Sequence, residues 1–253
     1  MLRVFHPIDA WLVRRLGHRY LYVRSPLSTK QRVRWVCSQI DGHRLKILEA
    51  GCGSGVFSYR LAEEGHEVTA IDLQQYVAKC ETRYRAFRDE LAGQIQFIAH
   101  DLRTLDTLDG LEDFDCVVCT EVIEHIMNDA KLVSDISRCL RKGGRLVLTT
   151  PNIHYHSLFG DRVSEIEDGG HVRKGYALTD LKNICERSDL EIIQVEYLSG
   201  FFTQKLIDLE RRVARTLGGA LAAVALYPFR PLSRFDRFVE FEPLCIAIVA
   251  EKR

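Results

Sequence analysis

The side chains best suited to move a proton or hold a cation stand together in the string TEVIEHI, which supplies Glu121, Glu124 and His125, and a further histidine, His171, sits in the glycine-flanked stretch GGHVRKG. Positions three and four apart share a helix face, so Glu124 and His125 can converge with Glu121 on one divalent ion. Such an ion lowers the pKa of a bound hydroxyl and favours an oxygen nucleophile of catechol type. Without an ion, His125 or His171 is the natural proton acceptor, because an unperturbed imidazole titrates near neutral pH. The structural alternatives are that His125 only orients its loop and that His171 only bonds Glu121 or a backbone carbonyl. Spacing alone leaves the metal open. His154, His156 and Tyr176 are further candidates for contact with a substrate.

A second group of residues surrounds the glycine turn in LKILEAGCGSGVFSYRLAEEG, residues 45–65. A turn of this kind between a strand and a helix lets a ligand approach the backbone and the helix N-terminus. Gly51, Gly53 and Gly55 make G-x-G-x-G, whereas a dinucleotide fingerprint places its third glycine where this chain has Val56. Glu49, ending the apolar run, repels a pyrophosphate and attracts a ligand that carries positive charge. Other apolar runs also end in acids. Asp72 is placed to accept hydrogen bonds from two ribose hydroxyls, and Asp101, in AHDLRTL, to accept from a purine amino group with Leu102 against the ring.

These residues need a scaffold that brings strand ends together. Strand-like runs lie at 46–50, 67–71, 95–99, 115–120 and 145–150, separated by helical patterns at 55–64, 74–91 and 129–141. A helix at 179–188, a strand at 191–197 and a terminal run at 244–250, read as an antiparallel strand closing the sheet, complete the series. Alternation at this spacing predicts an α/β fold, a Rossmann-like, doubly wound, mostly parallel seven-stranded sheet with helices on both faces. The expected organisation is an N-terminal helical segment at 1–44, a core at 45–197, a helical cap insertion at 198–242 and the last core strand at 243–253. VRWVCSQI, in the leading segment, is helical and belongs beside the glycine turn.

With 253 residues, 46% of them hydrophobic, the chain can bury one large core. Formal charge is zero overall, but residues 1–44 hold nine Lys or Arg against two acids and residues 45–204 seventeen against twenty-seven. The eight cysteines are scattered through apolar patterns as reduced core thiols are. Cys116 and Cys119 lie within FDCVVCTEV, where a period of two sends them to opposite faces, which argues against a zinc or redox pair. The N-terminal stretch lacks the pattern of a secretory signal, so the expected compartment is cytoplasmic.

ILEAGCGSG, VTAIDLQ, AHDL, FDCVVCTEVIEHI and LRKGGRLVLTTPN, in this order and spacing, resemble the successive motifs of class I S-adenosylmethionine-dependent methyltransferases. The resemblance spans residues 45–152. It implies S-adenosylmethionine as cofactor, with Glu49, Gly51, Gly53 and Gly55 around its methionine part, Asp72 on the ribose, Leu73, Asp101 and Leu102 around the adenine, and Glu121 beside them. It also places His125 near the transferable methyl group and His171 at the start of a substrate-side segment. In style the chain is most similar to small-molecule O-methyltransferases of quinone biosynthesis, which share the Glu-x-x-Glu-His. Small-RNA 2′-O-methyltransferases share it too, with a later histidine completing a magnesium site. No RNA-binding module is recognisable, so a small-molecule acceptor is expected and no nucleic acid. A non-catalytic adenosyl-binding protein would keep the same ligand-facing residues.

The insertion combines Phe201 and Phe202, an arginine-rich helical stretch at Arg211, Arg212 and Arg215, and an uncharged run from Leu217 to Phe229. That run is well short of the ~20 residues a membrane-spanning helix needs. An apolar roof with a basic rim suits a lipophilic acceptor and a peripheral contact with the inner face of a membrane. The competing use of the same face is packing on the domain or on a second copy in a homodimer.

Overall fold

The computed structural model describes residues 15–87, 90–155, 163–218, 222 and 225–253. The leading elements among the described residues include α1 (Arg19–Arg24) and α2 (Leu27–Ser38). The core then runs β1 (Lys46–Ala50), α3 (Val56–Glu63), β2 (Glu67–Asp72), α4 (Gln74–Phe87), β3 (Ile95–Ala99), β4 (Phe114–Thr120), α5 (Asp129–Cys139), β5 (Leu140–Pro151), α6 (Leu178–Arg187) and β6 (Leu190–Leu198). The cap is α7 (Phe201–Leu217) and a run of 3-10 turns over Tyr227–Phe238, and β7 (Cys245–Lys252) ends the fold.

The seven strands form one sheet in the order β3-β2-β1-β4-β5-β7-β6, with only β7 antiparallel to its neighbours. Strand order reverses between β1 and β4. Beyond the carboxyl ends of those two strands the sheet must open a crevice, because the connections leave in opposite directions.

Both faces of the sheet are covered, which explains the unbroken apolar runs of the central strands. Ile47, Cys116, Val118, Val147 and Val249 pack under α2 and α3, while Leu48, Val117, Cys119, Leu146 and Ile248 pack on the other side under α5 and α6. Cys116 and Cys119 therefore do face opposite layers, and all eight cysteines are free thiols.

Two expectations about the elements are corrected. The terminal strand does not close the sheet but inserts between β5 and β6. Residues Cys245–Ala250 are buried throughout, so they require a neighbour on each side, whereas β6 is mostly solvent-facing and carries the exposed Glu191 and Glu196 suited to an edge. The helix expected at 74–91 ends at Phe87 and is followed by a separate 3-10 turn at Glu90–Gly93.

The leading segment and the cap pack on each other. Gln31 of α2 donates to Thr203 of α7 (2.8 Å) and accepts from Ser199 (2.6 Å), while Leu27 packs on Leu206 and Ile207. Val33 and Val36 of α2 join Val56, Phe57 and Tyr59 of α3, which puts the leading helix beside the helix that follows the glycine turn.

Candidate functional site

A cleft of about 530 Å³ opens at the topological switch and is lined by Gly51 and Gly53 of the turn, Asp72 and Leu73 after β2, and Asp101 and Leu102 after β3. Glu121 and His125, after β4, complete its inner wall.

The turn is held in place by one carboxylate. Asp72 Oδ2 accepts from the Gly53 amide and Oδ1 from the Leu73 amide, both at 2.7 Å. Burial raises the Asp72 pKa against the pull of those amides. A carboxylate offers about four acceptor positions, so roughly two stay available to hydroxyls of a ligand.

The three glycines do different work. Gly51 has φ +90°, and a Cβ there would lie 2.3 Å from Val122 Cγ2, so the residue exists to let β1 and β4 close up. Gly53, at φ +50°, faces open space and leaves its backbone accessible in the cleft. Gly55, at φ +81°, starts α3 and packs against Tyr59 and Cys80, away from the cleft.

Glu49 also lies behind the turn. It is buried, accepts a short hydrogen bond from Ser58, and leaves Oε1 without a partner. Burial holds its pKa well above the usual range. Glu49 therefore does not line the cleft, contrary to the expectation from sequence, because burial beneath the turn keeps it from the ligand side; the accessible Gly53 backbone with Asp72 and Asp101 is the donor set that fits the adenosyl cofactor.

On the opposite wall Asp101 is already paired. The Arg103 guanidinium grips it, with Nε at 2.9 Å from each carboxylate oxygen, and reaches Glu167 at 3.0 Å. These bonds hold the Asp101 pKa low. Glu167 accepts in turn from the Met127 amide (2.6 Å), so the loop at 163–175 folds back over the cleft. Asp101 can meet an adenine amino group only while sharing its oxygens with Arg103.

The strand-four corner brings the remaining candidates together. Glu121 takes a left-handed backbone, φ 55°, which is uncommon for a non-glycine residue, and its amide donates to Thr149 (2.8 Å). Its carboxylate does not join the others. Oε2 lies 3.2 Å from the guanidinium of Arg32, a half-buried residue of α2 that spacing arguments did not single out.

Glu124, His125 and His171 do converge, with one donor atom from each within 4.8 Å of one another. Glu124 is fully buried, accepts from Thr150 Oγ1 at 3.1 Å and leaves Oε1 free of hydrogen bonds, 4.0 Å from His125 Nε2. Burial, then the Glu121 carboxylate, raise its pKa well above the ordinary carboxylate value.

His125 Nδ1 is 3.0 Å from the Gly170 carbonyl, which can only accept, so the proton sits on Nδ1 and Nε2 offers its lone pair. His171 meets the His125 ring edge-on at 4.6 Å, and burial together with His125 lowers its pKa. Two imidazoles and a carboxylate form a donor set suited to a divalent cation, and the bond to the Gly170 carbonyl fixes the orientation of the His125 ring. The set differs from the one expected by spacing, with His171 in the place of Glu121.

Tyr176 is a strut and not a cleft residue. It is buried, and its hydroxyl accepts from Arg173 (2.7 Å) and bonds Asp129 (2.7 Å) and the Ile123 carbonyl (3.1 Å). His154 and Asn152 line a second cleft of about 580 Å³ between the ends of β5 and β6 and the cap, and His156 lies outside the described residues.

Comparison with known proteins decides the family. Residues 17–195 match the model of a methyltransferase domain. The chain belongs to this family of S-adenosylmethionine-dependent methyltransferases. A ubiquinone biosynthesis O-methyltransferase of Xanthomonas oryzae pv. oryzae is 31% identical over 121 residues, 48% of this chain and 49% of that protein. The chain thus spans about half the length of the curated relatives it matches. Among solved structures, phosphoethanolamine N-methyltransferase 2 of Haemonchus contortus in complex with S-adenosyl-L-methionine superimposes with a TM-score of 0.64 at 18% identity, covering 100% of this chain and 61% of that one. A cyclase has a TM-score of 0.58 at 21% identity, covering 87% and 79%. At these identities the structural likeness establishes the fold alone, and the cyclase shows that this fold also carries other chemistry.

Proposed function

We propose that this methyltransferase transfers the methyl group of S-adenosylmethionine to an oxygen of a small lipophilic acceptor, a hydroquinone or catechol being the chemistry that fits best. The observation carrying this reading is the convergence of Glu124 and His171 on His125, the one of the three that lines the cleft with Gly51, Gly53 and Asp72. The quinone-biosynthesis name of the matched relative supports the acceptor class.

The cofactor supplies a methyl group on a positively charged sulfur that leaves without help. The protein's tasks are position and one proton. Asp72 orients the ribose, Gly53, whose amide donates to Asp72, lies by the methionine part, and Arg103 with Glu167 closes the outer wall. His125 Nε2, left as a lone pair by the Gly170 bond, accepts the hydroxyl proton of the acceptor or helps hold a cation that lowers its pKa. The compact donor set favours the cation. Glu124, His125 and His171 would hold such an ion, with Glu124 as its carboxylate ligand, and the ion would supply Lewis acidity.

The test is transfer of labelled methyl to matched acceptors. Hydroquinones and catechols should be labelled and the corresponding anilines should not, with His125→Ala reducing turnover at unchanged cofactor affinity. Cofactor binding with no transfer to any phenolic, lipid or sugar acceptor would leave a non-catalytic adenosyl-binding protein as the better description.

A further inference from the structure

The run of 3-10 turns over Tyr227–Phe238, sequence YPFRPLSRFDRF, contains no buried residue. A 3-10 helix repeats every three residues, so positions three apart eclipse one another. Phe229, Leu232, Phe235 and Phe238 therefore stand in one row, and they are 52%, 38%, 50% and 68% exposed. These are all of the exposed phenylalanines among the described residues. Arg234 and Arg237 form the adjacent row and are exposed as well. The third row begins at the exposed Tyr227 and continues through Arg230, Ser233 and Asp236, which are half-buried.

Asp236, the only acid of the run, is spent inside the protein. It accepts from the Thr203 amide in the first turn of α7 (3.1 Å) and from the Thr203 hydroxyl and Gln31, so it ties the run to α7 and α2. Phe235 leans on Phe202 with ring centroids 6.3 Å apart, which stiffens the same connection. Pro228 and Pro231 set the backbone angle that 3-10 turns need. The next acids, Glu240 and Glu242, lie past the end of the run. The outer face is thus an aromatic row beside a basic row, Arg234 and Arg237, whose other side borders the second cleft with Glu240 and Glu242.

We propose that this face docks the protein on an anionic lipid bilayer. Aromatic side chains enter the headgroup and acyl boundary while arginines pair with lipid phosphates. Charge selects this occupant: a second copy of the chain would set the same arginine row against itself, whereas an acidic lipid surface neutralises it. Among the described residues no helix is long and apolar enough to cross a membrane, so the contact proposed is peripheral. The inference does not depend on the reading of the catalytic cleft, because none of these residues lines it.

Flotation of the full chain with vesicles tests it. The protein should float with mixed phosphatidylglycerol and phosphatidylcholine vesicles, not with phosphatidylcholine alone, and should be released as salt shortens the screening length. The double substitution R234E/R237E should weaken partitioning by about thirtyfold or more, from roughly 1 kcal/mol per arginine near the surface. F229S/F238S, which removes two exposed rings, should also abolish flotation. S-adenosylmethionine titration of each variant checks that the fold is intact. Absence of flotation by the wild-type chain overturns the proposal, as does flotation of both variants at wild-type levels. A wild-type dimer in light scattering that F229S/F238S converts to monomer overturns it too, and assigns the row to a second copy.

Discussion

Replacing Gly51 and Gly53 separately by alanine should damage two different properties, although the residues are two apart in one turn. At Gly51 the new Cβ would lie 2.3 Å from Val122 Cγ2, against roughly 3.5–4.0 Å for an ordinary carbon contact, so the turn or Val122 must retreat by more than about 1 Å. Overpacking of this kind costs about 1–3 kcal/mol. The φ of +90° adds about 1–2 kcal/mol for an L-residue. The sum, ~2–5 kcal/mol, lowers Tm by about 5–15 °C for a chain of this size. At Gly53 the Cβ meets nothing within 4 Å, so only the left-handed backbone, φ +50°, is penalised, by about 1–2 kcal/mol. Its methyl instead occupies the cleft where the backbone must be approached, and S-adenosylmethionine affinity should fall at least about tenfold, ~1.4 kcal/mol. Thermal unfolding followed by circular dichroism, paired with calorimetric titration, separates the two losses. The reasoning fails if Gly51→Ala melts within about 2 °C of wild type, or if Gly53→Ala binds the cofactor as tightly as wild type.

Asp72→Ala should weaken cofactor binding by about 3–6 kcal/mol, from two lost hydrogen bonds to a charged acceptor at about 1.5–3 kcal/mol each, as read by the same calorimetry. Arg32→Met strips the guanidinium from Glu121, and breaking this half-buried pair should cost about 1–2 kcal/mol in chemical denaturation. Chelation should abolish methyl transfer and magnesium or zinc restore it, with His171→Ala losing that response at unchanged cofactor affinity; full turnover in chelator would remove the cation from the mechanism. His66 is buried and its Nδ1 accepts from the Leu45 amide (3.3 Å), and burial lowers its pKa below the ordinary value of 6.5. The unfolded chain then binds the proton first, so this contribution to stability is present at neutral pH and is lost as pH falls below about 6.5. The Tm of His66→Gln should fall less steeply with decreasing pH in that window than that of wild type.

The parts of the site legible in the sequence are those fixed by strand ends. Gly51, Gly53, Asp72, Leu73, Asp101, Leu102, Glu121 and His125 each follow a strand, and the parallel sheet carries all of them into one cleft. Residues from elsewhere were not legible. Arg32 reaches Glu121 from a helix some ninety positions earlier, a contact no local spacing encodes. Arg103 was visible two residues after Asp101, and its partner Glu167 comes from a loop whose path depends on Val172 bonding the Glu124 carbonyl. Seven strands and their alternation followed from apolar runs, but β7 and β6 exchanged places because burial on both faces, not chain order, decides which strand lies inside. The aromatic row at Phe229 to Phe238 has a period of three and escapes a search tuned to 3.6.

The central claim is that the crevice between β1 and β4 is an adenosyl-cofactor site and not a dinucleotide site. Calorimetric titration of the full chain with S-adenosylmethionine and, separately, with NAD tests it most directly. Saturable binding of S-adenosylmethionine, lost in Asp72→Ala and with no heat from NAD, is the expected result; NAD binding more tightly than S-adenosylmethionine would contradict the account.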